Sequence, residues 1–317
     1  MSTTSRASAP NQTPPPPSRA NAPDPTEPHK SRRRVEPVYW LFLFPAVAAF
    51  TLMVTYPAVV GFTMSFTNSI GFGDFEWIGF RNYIALFRDE NILSSYGFTL
   101  LFAAVTVVLV NIIAFFLALG LTSQIKLKNP LRAVFVVPMM ISAIIYSFVF
   151  RFLFSNSLPM LGEAIGSETL SSSLLANEDW AWFAIVIVTV WGSVPGTMLI
   201  YIAGLMTVPG EVYEASSIDG ASPRSNLWHI TLPLVAGYIG INVILGFKSY
   251  LSVYDQIVGL TQGGPGTATR SVAFTIFTGF SGGDYAYQMA NAGIFFLITV
   301  AIALIQMRIT QGKAFGS

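Results

Sequence analysis

The sequence predicts an all-α fold: a polytopic helical membrane protein with six transmembrane helices. Three observations carry that expectation. Of 317 residues, 53% are hydrophobic and only 10% are charged, whereas a soluble domain carries about a quarter charged residues. The apolar residues gather in six segments, roughly 39–64, 96–122, 132–154, 181–206, 234–256 and 286–307. Each is long enough for a helix to cross a bilayer core, which takes about 20 residues. Lastly, the Lys and Arg residues between the segments sort to one side.

Residues 1–36 precede the first segment and differ in composition. Pro14 to Pro17 are consecutive, Ser, Thr and Asn fill much of the rest, and large apolar residues are almost absent. Such a stretch buries too little surface to offset its ordering entropy, so a disordered cytoplasmic tail is expected. A proline-rich ligand for a partner domain is the alternative. The basic cluster Lys30, Arg32, Arg33 and Arg34 lies too deep, and the apolar run after it is too long, for a signal peptide. Residues 37–317 form the expected membrane domain.

The gaps between segments set the orientation. Lys30 to Arg34 precede the first, Lys126, Lys128 and Arg132 follow the second, Arg224 follows the fourth, and Arg308 and Lys313 follow the last. The 155–180 gap has no Lys or Arg but carries Glu163, Glu168, Glu178 and Asp179. Positive residues mark the cytoplasmic face, which places both termini and the 207–233 loop there. Trp40, Trp180 and Trp182 fit interfacial aromatic belts. Pro45, Pro57, Pro138 and Pro195 fall inside segments, as packing kinks or as bends around a central path. The chain has no cysteine and two histidines, His29 and His229, so disulfides and multi-histidine metal centres are excluded. No cofactor and no nucleic-acid partner are expected.

The 207–233 loop is the most patterned polar stretch. Pro209-Gly210 breaks the preceding segment, and Glu211 and Glu214 fall where carboxylates complement a helix dipole. Ala215, Ser216 and Ser217 are small, and Asp219-Gly220 supplies a turn with a left-handed stop. A short helix over 211–218 follows, with Pro223 opening a second one.

From spacing alone this is a cytosolic helical loop, but its residues resemble the signature loop of the membrane subunits of bacterial ABC importers. That pattern reads Glu-Ala-Ala, three residues, Gly, nine residues, Ile-x-Leu-Pro. Glu214, Ala215, Asp219, Gly220, Ala221, Ile230, Leu232 and Pro233 agree with it; Ser216 replaces an alanine and Leu227 a phenylalanine. Leu43-Phe44-Pro45, Tyr56-Pro57, Gly79-Phe80-Arg81-Asn82-Tyr83 and Thr261-Gln262-Gly263-Gly264-Pro265 extend the resemblance over most of 39–308. They point to the carbohydrate-uptake branch and to a subunit like the first pore protein of maltose-type importers. The resemblance implies a permease fold in the cell membrane, a heterodimer with a second permease subunit, separate ATPase subunits and an extracytoplasmic sugar-binding protein. It also implies that Glu214, Ala215, Asp219, Gly220 and Ala221 belong to a coupling helix that docks on the ATPase. Gly263-Gly264-Pro265-Gly266 lacks the Gly-Lys-Ser/Thr of a P-loop, so the chain is expected to transport rather than hydrolyse ATP.

A sugar path needs hydroxyl partners and aromatic faces. Thr189, Gly192, Ser193 and Gly196 recur at helical spacing in the fourth segment beside Trp191, and Gly246, Ser249, Tyr250 and Val253 do so in the fifth. Anchored on the loop and the Gly-Gly-Pro turn, both stripes fall near sugar-contacting positions of the maltose-type subunit. The alternative is that the small residues only permit close helix packing. Lys248 is costly inside a segment; pairing with Asp255, outward snorkelling and a place beside the path all remain open. Asn111 and Asn242 could line the path or link helices. A stand-alone secondary transporter or channel is the alternative function, but no run of ionisable residues suggests proton coupling. Gly279-Phe280-Ser281-Gly282-Gly283 matches a serine-hydrolase string only by chance, since no histidine is expected on its side of the membrane.

Overall fold

The computed structural model describes residues 37–123, 126–167 and 170–314. The tail expected over 1–36 lies outside the described residues, as does Glu168. A short N-terminal unit ends at Thr55, and the packed bundle begins at Tyr56. Helix α1 is Pro37–Phe50, followed by a π-helical turn at Thr51–Thr55, and α2 is Tyr56–Met64.

Among the described residues, five helical runs are long and apolar enough to cross a membrane: Trp40–Met64, Glu90–Thr122, Ala143–Ile165, Glu178–Met206 and Tyr285–Ile309. Pro223–Leu234 and Ala236–Leu251 make a sixth if they form one span, bent by 66°. The fold is the expected helical one, with two corrections to the segments.

The first correction is the third segment. Residues 132–154 do not form one helix. Helix α5 (Lys128–Val136) gives way to a 3₁₀ turn at Val137–Met140, and α6 starts only at Ala143. Pro138 has no N–H to donate and sits in the first turn of the 3₁₀ segment, a position that tolerates it. The long apolar run is Ala143–Ile165, in which α6 (Ala143–Phe152) passes through a π turn into α7 (Leu158–Ile165). Residues 155–165 are therefore helical rather than loop. The second correction is the fifth segment: α12 (Ala236–Leu251) stops short of residue 256, and α13 (Asp255–Leu260) begins after a break.

The core lies where α4 (Glu90–Thr122) packs along α8 (Glu178–Met206). Asp89 caps α4 by accepting from the N–H groups of Asn91 and Ile92. Ala103, Ala114 and Ala118 of α4 are fully buried; small residues there let α8 approach closely. Phe102, Ile185, Val188, Met198 and Tyr201 fill the interface. Pro195 sits inside α8 without ending it. Asn111 and Asn242 prove to be links between helices: the Tyr201 hydroxyl donates to Asn111 Oδ1 at 2.5 Å, and Asn242 donates to the Thr197 carbonyl at 3.4 Å. Helix α15 (Tyr285–Ala314) closes the bundle against α12 and α14 (Val272–Ser281).

The segment between α2 and α3 (Arg81–Leu86) is tied by one side chain. Asn82 donates to the carbonyls of Ser65 and Thr67 at 2.8 and 2.9 Å. Asn82→Ala removes both bonds and leaves two acceptors in a part-buried place, which costs about 1–3 kcal/mol. A lower midpoint of thermal unfolding in detergent, with a normal amount of protein in the membrane, is the expected result.

Candidate functional site: a polar cavity at broken helices and a capped loop helix

Ser252, Val253 and Tyr254 separate α12 from α13, and Ile141 and Ser142 separate the 3₁₀ turn from α6. Interrupted helices at membrane depth are tolerated where they are packed in protein or line a cavity. Here the α12–α13 interruption borders a cavity of about 390 Å³, which Ala143, the residue after the other interruption, also reaches. Helix α8 contributes Thr189 and Ser193, and α12 contributes Ser249 and Tyr250. The break adds Ser252, Val253 and Tyr254, α13 adds Asp255 and Gln256, and Ala143 lies at the start of α6. The break is locally satisfied: Ser271 donates from its hydroxyl to the Val253 carbonyl at 2.7 Å and accepts from Phe274 N–H. Gln256 donates to the Tyr146 hydroxyl at 3.1 Å, which ties α13 to α6. Thr189 spends its hydroxyl proton on the Ile185 carbonyl at 2.8 Å, whereas Ser249 and Ser252 are exposed. The Tyr250 side chain is buried, with its hydroxyl towards Ser193.

The two stripes read from the sequence thus divide. Thr189, Ser193, Ser249, Tyr250 and Val253 share the polar cavity. Trp191 does not line it; its ring meets Tyr146 and Phe150 edge-on and borders a separate apolar cavity of about 420 Å³ with Phe135 and Pro138. Gly192 lies under the Tyr146 hydroxyl, Gly246 against Val107 and the Tyr250 ring, and Gly196 near the Met139 sulfur. These glycines sit where neighbouring side chains come close. Lys248 is exposed in the last turn of α12 and makes no ion pair with Asp255 among the described residues. The unwound break sits between them and ends the helical register that would bring them together. The lining residues Ser252, Tyr254 and Gln256 were not read as site residues: on a continuous helix Ser252 stands well off the stripe, whereas Gln256, seven residues after Ser249, shares its face and could have been found by the same spacing.

The second constellation is the loop after α8. Helix α9 covers Gly210–Ile218, close to the expected 211–218. It ends in a Schellman pattern: Gly220 N–H donates to the Ser217 carbonyl and Ala221 N–H to the Ser216 carbonyl. Gly220 has φ +75°, which an L side chain rarely adopts. Ser216, the departure from alanine, is buried and donates to Asn226 Oδ1 at 2.5 Å. Tyr213 bonds Thr231 at 2.9 Å. These bonds pin α9 against the returning arm of the loop, α10 (Pro223–Asn226) and the π turn Leu227–Thr231, which leads into the short α11 (Leu232–Leu234). Leu227 packs on the main core. Glu214, Ala215, Asp219 and Gly220 are exposed, and Ala221 is half-buried. Ile218 and Trp228 are 86% and 65% exposed.

Ser281, in the hydrolase-like string, donates to the Phe277 carbonyl at the end of α14. His229 lies on the α9 loop, far along the chain in another element.

A polytopic bundle with a polar cavity at interrupted helices and a rigid exposed loop helix is the build of a permease. The chain belongs to the family of binding-protein-dependent transport system inner membrane components, whose model matches residues 116–310. It is thus a multi-pass inner-membrane transport component rather than an enzyme, and it works within a binding-protein-dependent system. It is 30% identical to the multiple sugar-binding transport system permease protein MsmF of Streptococcus mutans, over 86% of this chain and 94% of that one. It is 31% identical to the probable starch degradation products transport system permease protein AmyD of Thermoanaerobacterium thermosulfurigenes, over 87% and 94%. Among solved structures it resembles a chain of a bacterial ABC transporter for the acidic polysaccharide alginate, with a TM-score of 0.77 and 19% identity over 88% of this chain and 96% of that one.

Proposed function

We propose that the chain is one of two permease subunits forming the pore of an ATP-driven importer of a sugar or oligosaccharide. The observation that carries the reading is the hydroxyl-rich cavity at the α12–α13 break, in a chain related to permeases named for sugars and for starch degradation products. Serine hydroxyls and a tyrosine ring suit a polyhydroxylated ring, which needs hydrogen bonds at its rim and an apolar face beneath. Energy comes from separate ATPase subunits docking on the 211–233 loop. Glu214, Ala215, Asp219, Gly220 and Ala221 form the coupling surface, with Ile218 and Trp228 beside them. Exposed Ile218 and Trp228 on this loop support a partner there. An extracytoplasmic binding protein delivers the sugar, and a second permease subunit completes the pore. The test is purification of the tagged chain from native membranes. A second permease and an ATPase should accompany it, and sugar-loaded binding protein should stimulate ATP hydrolysis. Purification of a lone chain that transports by itself would overturn the reading.

Both termini are placed in the cytoplasm by the Lys and Arg asymmetry. The chain has no cysteine, so Leu170→Cys and Ser217→Cys each introduce a unique thiol. A membrane-impermeant maleimide added outside intact cells should label position 170 and spare 217. The opposite pattern would invert the topology.

A further inference from the structure

The walls of the polar cavity carry one formal charge. They offer the hydroxyls of Ser193, Ser249, Ser252 and Tyr254, the amide of Gln256 and the carboxylate of Asp255, while no Lys, Arg or His lines it. Asp255 is exposed and forms no ion pair and no side-chain hydrogen bond among the described residues. Among the described residues no charged side chain neutralises it. Lys248, on the preceding helix, is exposed but outside the lining. The start of α6 at Ala143 also borders the cavity, and the first turn of a helix carries partial positive charge. The last turn of α12, at Ser249 and Tyr250, borders it too and carries partial negative charge, so the helix ends oppose one another and Asp255 is the one formal charge among the lining residues.

We propose that Asp255 sets the charge preference of this cavity: it accepts hydrogen bonds from the hydroxyls of uncharged sugars and repels sugars that carry a carboxylate or phosphate. The inference rests on reading the cavity as the sugar path. Fold alone does not dictate such a preference, because the alginate transporter, whose cargo is acidic, has the same fold.

The cavity field can be read without knowing the sugar. Ser252 is exposed and lines the cavity, so Ser252→Cys gives a single thiol in the full-length chain in its membrane. Its rates of reaction with a trimethylammonium-bearing and a sulfonate-bearing methanethiosulfonate are compared, each relative to a free thiol in solution. The ratio of the two cancels any change in thiolate fraction. The cationic reagent should be favoured, and adding Asp255→Asn should lower that preference by about thirtyfold, since a charge about 4 Å away in water shifts each reagent's rate by about fivefold in opposite directions. An unchanged ratio overturns the proposal, and so does a thiol that neither reagent reaches. In the assembled transporter, ATP hydrolysis should respond to neutral oligosaccharides such as maltotriose and not to uronic-acid oligosaccharides. A response to the acidic sugars would overturn the charge preference and leave the importer reading standing. If no sugar of either kind stimulates hydrolysis, the sugar assignment fails and takes the inference with it, even where the thiol ratios still report a negative cavity.

Discussion

Glu214→Lys should reduce sugar uptake by at least about tenfold while the protein reaches the membrane in normal amount. Glu214 is exposed on α9, and its carboxylate has no ion pair or hydrogen bond among the described residues. Reversing its charge therefore removes no contact that holds the chain together, and surface changes of this kind cost less than about 0.5 kcal/mol of stability. A docking partner is affected differently. A like charge set into an interface, or a lost charge-assisted contact, costs several times that, and 1.4 kcal/mol is already tenfold in affinity. Gly220→Pro is the companion change. Gly220 sits at φ +75°, and its N–H closes the Schellman pattern on Ser217. Proline holds φ near −65° and has no N–H, so the end of α9 must rearrange. Both variants should lose uptake and lose copurification of the ATPase. Normal uptake by both, at normal abundance, would remove the coupling role from this loop. Gly220→Ala separates the two effects: no atom lies within 4 Å of an added Cβ, so only left-handed strain of roughly 1–2 kcal/mol opposes it.

The parts of this fold that the sequence made legible are those with local causes. Long apolar runs located α4, α8 and α15 to within a turn or two. Pro209 and Gly220 bounded α9 because each acts on its own backbone position. The helix breaks were not legible. Ser252, Val253 and Tyr254 include neither glycine nor proline, and hydropathy averages smoothly across them. What ends α12 is tertiary: Ser271, 18 residues on, bonds the freed Val253 carbonyl, and a partner that distant leaves no local mark. Pro138 was visible as a kink, but its consequence, a helix restarting at Ala143, depends on how α6 meets α8 and α13.

The same distinction explains the site. Thr189 and Ser193 came together because residues four apart share a helix face, and Ser249 and Tyr250 sit side by side in the last turn of α12; Val253 joins them from the break. Trp191 stands two residues from both Thr189 and Ser193, about 200° around the helix, and its ring borders the apolar cavity instead. Asp255 would face away from the stripe on a continuous helix and joins the cavity because the chain unwinds before it. Ser216 is the reverse case: a departure from the expected alanine that the structure accounts for by its bond to Asn226.

Tyr250→Ala should lower uptake at limiting sugar by roughly tenfold or more and leave basal ATP hydrolysis and subunit assembly nearly unchanged. Tyr250 is 5% exposed and borders the polar cavity, with Ser193 on one side and Gly246 beneath its ring. It can give a sugar both an aromatic face and a hydroxyl. Losing a stacking face and a hydrogen bond costs about 1–3 kcal/mol of binding together, which is the source of the tenfold. The truncation also opens space in the bundle, and loss of a large buried aromatic destabilises by about 3–5 kcal/mol where nothing refills it. Two controls keep these effects apart. Tyr250→Phe retains the ring and the packing and removes only the hydroxyl with its bond towards Ser193, so it should show a smaller loss of uptake and a smaller loss of thermal stability than the alanine variant. Raising the sugar concentration should restore much of the Tyr250→Ala rate if binding is what was lost, and should not if the bundle has loosened. Basal hydrolysis is the third readout, because the α9 loop lies in a different part of the chain and is untouched. Normal uptake by the alanine variant at limiting sugar would remove Tyr250 from the path. The coupling role of Glu214 and Gly220 would be unaffected by that result, since it depends on an exposed helix that shares no lining residue with the cavity.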